Sequence, residues 1–280
     1  MNTSSTVSLQ DILATLPARE RPATIPGLIA FWDFQGFGTQ HEARGVCPFT
    51  LVEQRGPIAR ASEGVFGPQS LRIAHGQWLR LPRAELGALN IHGHRPLSLI
   101  AWVKPDSDRL WQFVAGVWNE RDHQRQYALF FNGAWQYDHV AGMRTPCTRR
   151  AHAYLSREGG HTPGHPACFS YATGQTELRP GAWYCLALTY DGEQLAVHVN
   201  GRLDANPRHN PLPFPGPIFD GGATGADFTV AQRAMAMWRE YPHGVIPVAE
   251  GFSGLLGGLA VYDRALSEEE LVSLTGELSQ

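Results

Sequence analysis

Short strand-like segments, separated by turn-forming residues, are the feature of this sequence that most constrains its fold. Each segment is rich in apolar residues and is bounded by Gly, Pro, Asn or Asp. The segments occupy residues 28–34, 46–53, 70–74, 77–82, 97–104, 111–118, 126–131, 149–155, 183–190, 194–200, 227–233 and 252–262. Strands that follow one another without helical patterns between them are typical of an antiparallel sandwich and not of βαβ units.

The composition favours a single globular domain. Hydrophobic residues make up 43% of the 280 residues, and the 30 Gly and 20 Pro indicate many loops around a core that the chain can fill. This length suits one large β-sandwich with some tens of residues left for termini and insertions. We therefore divide the chain into an N-terminal extension, residues 1–26, and a sandwich domain, residues 27–280. Residues 8–16 predict a short amphipathic helix within the extension.

The alternation of side chains predicts which strands are central. In residues 183–190 both alternating sets are mostly apolar, which predicts a strand that is covered on both faces. In residues 195–200 one set is apolar and the other is not, which places His198 on the outer surface of a sheet. Asp191-Gly192 between the two segments predicts a tight hairpin turn, because both residues tolerate positive φ.

Three segments, in this order, resemble the laminin-G-like, concanavalin A-like lectin/glucanase family. They are Leu97–Asp106 (LSLIAWVKPD), Trp183–Gly201 (WYCLALTYDGEQLAVHVNG) and Leu259–Leu271 (LAVYDRALSEEEL). The first is similar to a strand of the family, the second to its hairpin with a Tyr-Asp-Gly turn, and the third to its closing strand and the helix that follows. The resemblance covers about Gly27 to Leu274 and implies an antiparallel jelly-roll β-sandwich with a C-terminal helix. It does not define a function, since this fold carries sugar binders, glycosidases, polysaccharide lyases and adhesion modules.

The resemblance also raises the question of calcium, because many family members bind Ca²⁺ through acidic residues near the first strands and in the closing strand. Here Gly258-Leu259-Ala260 stands where an Asp is usual, and Ile73–Gly76 lacks the usual acidic pattern. Calcium needs six to eight oxygen ligands, largely from carboxylates. We therefore predict no cofactor, with Ca²⁺ held by Asp33 and Glu42 as the alternative.

Residues 116–171 concentrate the side chains that suit a carbohydrate site. Five of the twelve histidines lie there among arginines and aromatic residues: His123, His139, His152, His161 and His165. Aromatic faces stack on sugar rings, while Arg and His donate hydrogen bonds to hydroxyls and carboxylates. We expect carbohydrate recognition through a groove lined by Trp118, Trp135, His139, Arg157, His161 and His165. The other interpretation is that these polar side chains satisfy the backbone of a long loop.

A transition-metal site is not predicted in this cluster. His161 and His165 have the spacing of a helical chelate, but Pro163 and Gly164 between them prevent a helix.

An enzyme is the second hypothesis. Glycosidases need two carboxylates at a defined separation, and no strand here carries such a pair. A polysaccharide lyase needs a group that neutralises the uronate carboxylate, together with a base and an acid. Arg149 or Arg157 could neutralise, with His152 as the base and Tyr154 as the acid. His152 and Tyr154 would share one face of a strand. A protein-interaction module is the third hypothesis.

Charge and targeting signals bear on partners and location. The net charge of −3 and the pI of about 6.4 give no electropositive field that would attract nucleic acid or an anionic membrane. Residues 1–26 carry no signal-peptide pattern and no apolar run could span a bilayer, so we expect a cytoplasmic protein unless the chain is a processed secreted form.

Cys147 and Cys168 flank one loop and would pair only in an oxidising compartment. The oligomeric state and the sugar are left open by the sequence.

Overall fold

The computed structural model of the chain describes residues 15–133, 135–138, 142–165, 167–233, 238–241, 244–247 and 251–275. Two antiparallel sheets face each other across an apolar core, so the predicted jelly-roll sandwich with a C-terminal helix is confirmed. Every predicted strand from 28–34 to 252–262 corresponds to an observed one, with bounds that differ by a few residues.

The larger sheet has ten strands. They are β1 (Leu28–Trp32), β3 (Arg44–Gly45), β5 (Ala59–Ala61), β6 (Ser70–Ile73), β8 (Leu97–Pro105), β15 (Tyr184–Tyr190), β16 (Gln194–Val199), β17 (Arg202–Leu203), β18 (Leu212–Pro213) and β22 (Gly254–Tyr262). The main path is β17-β16-β15-β8-β22-β1-β3, with β6 and then β5 joined beside β22, and β18 paired with β16. The strand predicted to be central, β15, lies between β8 and β16 as expected.

The smaller sheet has eight strands. They are β2 (Gln40–Glu42), β4 (Thr50–Gln54), β7 (Trp78–Leu81), β9 (Gln112–Asn119), β10 (Gln124–Phe131), β13 (Ala151–Leu155), β14 (Tyr171–Thr173) and β19 (Phe228–Val230), in the order β14-β13-β10-β9-β19-β7-β4-β2. Two hairpins lie outside the sheets: β11 (Trp135–Asp138) with β12 (Met143–Pro146), and β20 (Trp238–Tyr241) with β21 (Gly244–Pro247).

Within the described residues, helices are few and short. They are α1 (Arg21–Thr24) and α2 (Glu268–Thr275), with 3₁₀ turns at Ala18–Glu20, Arg83–Glu85, Gly87–Leu89 and Gly222–Thr224. A reciprocal cap starts α2: the Ser267 backbone N–H donates to Glu270 Oε2 at 2.9 Å, and the Glu270 N–H donates to Ser267 Oγ at 3.3 Å. Leu271 and Leu274 of α2 are buried against the outer face of the ten-stranded sheet.

The two faces of β15 show why both sets of its side chains are apolar. Leu186 and Leu188 enter the core between the sheets, whereas Cys185 and Ala187 pack in the separate cluster under α2. The turn after β15 forms as predicted, with Asp191 Oδ1 accepting the N–H groups of Glu193 at 2.9 Å and Gln194 at 2.7 Å.

The prediction that His198 lies on the surface is wrong. It does occupy the outer face of β16, as alternation requires, but only 6% of the residue is exposed. Its cross-strand partner is Ala187, which packs under α2, so the helix accounts for the burial. His198 Nε2 hydrogen-bonds with Thr189 Oγ1 at 3.0 Å, and burial lowers the pKa of its imidazole to about 4.

The N-terminal segment docks beside α2. Ile25 is 1% exposed, and the Tyr262 hydroxyl donates to the Pro22 carbonyl at 2.9 Å. Most of the helix predicted at residues 8–16 lies outside the described residues. The division of the chain at residue 26 stays a prediction.

The strand order places β13, which carries the candidate residues His152 and Tyr154, near one edge of the sandwich. Edge strand β14 and its neighbour β13 contact β16, and β18 pairs with β16 at the same edge. Strands β2 and β3 lie at the opposite edges of their sheets, joined by Ala43.

Candidate functional site

The outer face of the eight-stranded sheet carries an aromatic layer. Alternate side chains of β10 and β13 point away from the core and meet residues of β9 and β14 there. The layer consists of Phe113, Trp118, Phe130, His152, Tyr154 and Tyr171, with ring centroids 4.5 to 5.7 Å apart between neighbours such as His152–Tyr154 and Tyr154–Tyr171. Several of the predicted site residues therefore do come together, but in a packed layer.

His152 is fully buried in this layer. Its Nδ1 hydrogen-bonds with Thr173 Oγ1, and its ring contacts those of Trp111 at 5.5 Å and Tyr171 at 4.7 Å. Among the residues described, its Nε2 has no hydrogen-bond partner. Burial, with a smaller contribution from the charge of His209, lowers the pKa of His152 to about 3. The imidazole is therefore neutral at physiological pH.

Trp118 is also covered, with 2% of the residue exposed. Tyr154 packs against it at 5.1 Å, and the Arg125 guanidinium carbon lies 5.8 Å from the ring centroid. Arg125 is held in turn by the Gly159 carbonyl at 3.5 Å and by Glu120, whose carboxylate is 3.4 Å away. Burial lowers the pKa of Arg125. A sugar could stack on Trp118 only after these neighbours moved.

The remaining lyase candidates are arranged as follows. His152 and Tyr154 share one face of β13, as the sequence predicts. The Arg149 guanidinium, in contrast, makes an ion pair with Glu177 at 2.5 Å. Their assignment as neutraliser, base and acid stays a prediction.

Two predicted binding residues lie wholly or partly outside the described residues. Trp135 begins β11, but its side chain lies outside the description, and His139 is not among the described residues.

A second group of candidates lines an open pocket of about 270 Å³, which we call the loop pocket. It lies between the loop of residues 156–170 and strand β18. Its lining residues are Ser156, Arg157, Glu158, Gly160, His161, Thr162, Pro163, Phe169, Ser170, Leu212, Pro213 and Phe214. Of the predicted binding residues it brings together Arg157 and His161, while His165 packs beside it with its ring 4.8 Å from that of Phe169.

Hydrogen bonds within the loop fix its shape. Thr162 Oγ1 accepts the Phe169 N–H at 2.8 Å, and the Thr162 N–H donates to the Ala167 carbonyl at 3.0 Å. Gly159 has a φ of +69° and packs closely against the His123 carbonyl and the Phe219 ring, so a side chain there would clash. The polar residues of the loop thus satisfy its backbone and also shape the pocket.

The pocket combines groups of complementary chemistry. Phe169, Phe214, Pro163 and Pro213 provide apolar surface, whereas Arg157, Glu158, His161 and Ser170 provide charge and hydrogen-bonding groups. The rings of His123 and His161 lie 5.3 Å apart, and both residues are exposed. The arrangement can hold a small ligand that has both an apolar face and hydroxyl or anionic groups.

Sequence reasoning missed much of this pocket. Residues 206–226 are rich in Pro and Gly, a composition that predicts only a long loop, either functional or disordered. Their contribution depends on the pairing of Leu212 with Leu195 and of Pro213 with Gln194. Pairing between segments that are distant in the sequence leaves no local signal.

The calcium candidates lie at the opposite edge of the sandwich. Asp33 and Glu42 line an open pocket of about 500 Å³, but Asp33 Oδ2 is 2.8 Å from the Arg19 guanidinium and 3.3 Å from that of Arg44. Two guanidinium groups therefore already compensate this carboxylate. No group of three or more His, Cys, Asp or Glu residues suited to a metal ion occurs in the part of the chain that the structure describes.

All four cysteines have free thiols, including Cys147 and Cys168. Within the described ranges, no helix has the length and apolar character needed to cross a membrane.

Comparison with known proteins identifies the family. A family model described as the concanavalin A-like lectin/glucanases superfamily matches residues 76–272. Since this match spans most of the chain, the protein belongs to that superfamily, as its strand and hairpin segments predicted. No curated protein matches the sequence.

Solved structures share the fold at low sequence identity. Domain 4 of AbnA, a GH43 extracellular arabinanase from Geobacillus stearothermophilus in complex with arabinotriose, is 17% identical with a TM-score of 0.55, covering 89% of this chain and 98% of that one. The binding domain of botulinum neurotoxin serotype C1 is 7% identical with a TM-score of 0.51, and 90% of this chain matches 52% of it. The chain therefore spans about half the length of the toxin domain.

Proposed function

We propose that this protein recognises a carbohydrate, and that the loop pocket is its binding site. The observation that carries the proposal is the combination in one open pocket of aromatic and proline surface with Arg157, His161 and Ser170. The proposal is supported by the superfamily to which the chain belongs and by the arabinotriose bound to the similarly folded arabinanase domain.

Sugars suit this lining for a physical reason. A pyranose or furanose ring has an apolar C–H face that can stack on Phe169 and Pro163, and its hydroxyls can pair with the Ser170 hydroxyl and the His161 imidazole. The volume of about 270 Å³ is just below the ~300–1,000 Å³ of pockets for drug-sized ligands. We therefore expect it to hold one or two sugar residues of a longer oligosaccharide.

Carbohydrate binding needs only an accessible pocket, whereas β-elimination also needs a base that can reach a substrate proton. A lyase would need His152 to reach a substrate proton, yet its ring is enclosed by Trp111, Tyr154 and Tyr171, and its pKa of about 3 makes it a weak base. The loop pocket is open as it stands.

A glycan array probed with the wild-type protein and two variants tests the proposal. His161→Ala and Phe169→Ala should each reduce affinity for the bound glycans by about tenfold or more, because each removes a main contact of a small site. His75→Ala is the matched control, since His75 is an exposed histidine in the turn between β6 and β7, and it should bind as the wild type does.

Two results would contradict the proposal. One is the absence of binding to any glycan, and the other is binding that neither loop-pocket variant weakens. Ultraviolet absorbance recorded with uronate polysaccharides detects the conjugated double bond that a lyase forms and that a binding protein does not.

A further inference from the structure

The guanidinium of Arg157 is a feature of the loop pocket that a neutral sugar would not require. Arg157 is exposed, and within the described part of the chain it makes no ion pair. The nearby arginines differ in this respect, because Arg125 pairs with Glu120 and Arg149 pairs with Glu177. Glu158 also lines the pocket but does not pair with Arg157.

Packing holds this unpaired cation in place. Its carbon Cζ lies 5.7 Å from the ring centroid of Phe214, and the guanidinium rests on Gly216. A Cβ atom at residue 216 would overlap Nε, Nη2 and Cζ of Arg157, so this orientation requires glycine there.

The support beneath the guanidinium is rigid. Phe214 is 4% exposed, and its N–H donates to the Glu193 carbonyl at 2.6 Å. The Tyr190 hydroxyl lies 3.2 Å from the Phe214 carbonyl and 3.0 Å from the Gly216 carbonyl, both of which can accept its hydrogen bond. A planar cation on a fixed support loses little conformational freedom when a ligand binds.

From this geometry we infer that the loop pocket selects a carbohydrate that carries a carboxylate, such as a uronic or sialic acid, and that Arg157 is the residue that determines this specificity. Arginine binds carboxylates through two parallel N–H···O bonds, which lysine cannot form. The inference rests on the proposed function and adds the chemical class of its ligand.

The experiment uses matched pairs of oligosaccharides on one array, each with its carboxyl group either free or reduced to an alcohol. Oligogalacturonides and sialyl-oligosaccharides are the probes. The wild-type protein should prefer the free acids by about ten- to a hundredfold, as expected for a charge-assisted hydrogen-bonded pair.

Three variants and a control show whether Arg157 causes this preference. Arg157→Gln should abolish it, and Arg157→Lys should retain only part of it because the charge remains without the planar fork. Gly216→Ala should reduce it as well, since it displaces the guanidinium without changing the charge. Arg202→Gln removes a 70% exposed arginine from β17 and should leave the preference unchanged.

The outcomes separate this inference from the proposed function. Equal binding of acids and their reduced forms, weakened by His161→Ala, would overturn the acid specificity and leave carbohydrate recognition standing. A preference for acids that Arg157→Gln does not alter would overturn the role of Arg157. The absence of binding to any glycan would overturn both.

Discussion

His152 and His161 belong to one sequence cluster but have opposite surroundings. His152 is enclosed by the aromatic layer and hydrogen-bonded to Thr173, whereas His161 is exposed at the rim of the loop pocket. The sequence identifies both as histidines of one region, yet burial decides what each can do. We therefore expect substitution of His152 to affect mainly stability and substitution of His161 to affect mainly ligand binding.

Alanine substitutions should show this difference. His161→Ala should change the free energy of unfolding by no more than about 0.5 kcal/mol, as exposed substitutions usually do. His152→Ala should lower it by about 1–3 kcal/mol, because a buried ring is lost and Thr173 is left unpaired. Urea denaturation measures both values, and a larger loss for His161→Ala would contradict the assigned surroundings.

The buried histidines should also make the fold sensitive to acid. Burial lowers the pKa of His152 to about 3 and that of His198 to about 4, below the value of 6.5 for the free side chain. At a pH between the folded-state pKa and 6.5, each of these histidines is protonated in the unfolded state but not in the folded state. Stability should therefore fall with decreasing pH below about 6.5, by up to ~1.4 kcal/mol per pH unit for each histidine, until the folded-state pKa is reached.

A double substitution isolates the contribution of His152. His152→Phe with Thr173→Val replaces both hydrogen-bond partners by apolar groups and leaves neither unpaired. The free energy of unfolding of this variant should fall less steeply than that of the wild type between about pH 6 and 4. His161→Gln serves as the control and should follow the wild type; identical slopes for all three proteins would contradict the buried state of His152.

At the scale of elements, the closing segment shows what the sequence does and does not reveal. The Asp191-Gly192 turn follows from its turn-forming residues, and the strand β22 and the helix α2 follow from the family resemblance of residues 259–271. The docking of α2 does not, because it depends on Gly201, which packs directly against the backbone of Leu271 and Val272. A glycine after a strand predicts a turn but not the helix that lies against it.

Two glycines with positive φ test this docking. Gly201 has a φ of +78° and Gly192 a φ of +103°, but the atom nearest to a Cβ at Gly192 is the His94 carbonyl oxygen at 3.7 Å. Gly192→Ala should therefore cost only the backbone strain, about 1 kcal/mol, whereas Gly201→Ala should cost about 2–4 kcal/mol because it also pushes α2 away. Equal losses in chemical denaturation would show that α2 does not depend on this contact.

At the scale of the whole molecule, long apolar strands were predictable and short edge strands were not. Strands β8, β15, β16 and β22 have six to nine residues each, whereas β2, β3, β17 and β18 have only two or three. The loop pocket depends on one of these, β18. Arg157 and His161 were therefore accessible to sequence reasoning, and Phe214 and the pocket that it completes were not.

Mapping by NMR tests the central claim, that the loop pocket binds carbohydrate, most directly. Uniformly ¹⁵N-labelled protein would be titrated with the oligosaccharide that binds best on the array, and the backbone amide shifts recorded. Changes should concentrate in residues 156–170 and 212–216, with little effect on residues 33–44 at the opposite edge. Shifts concentrated at residues 33–44, or in β9 and β10 of the aromatic layer while the loop pocket stays unchanged, would contradict the account.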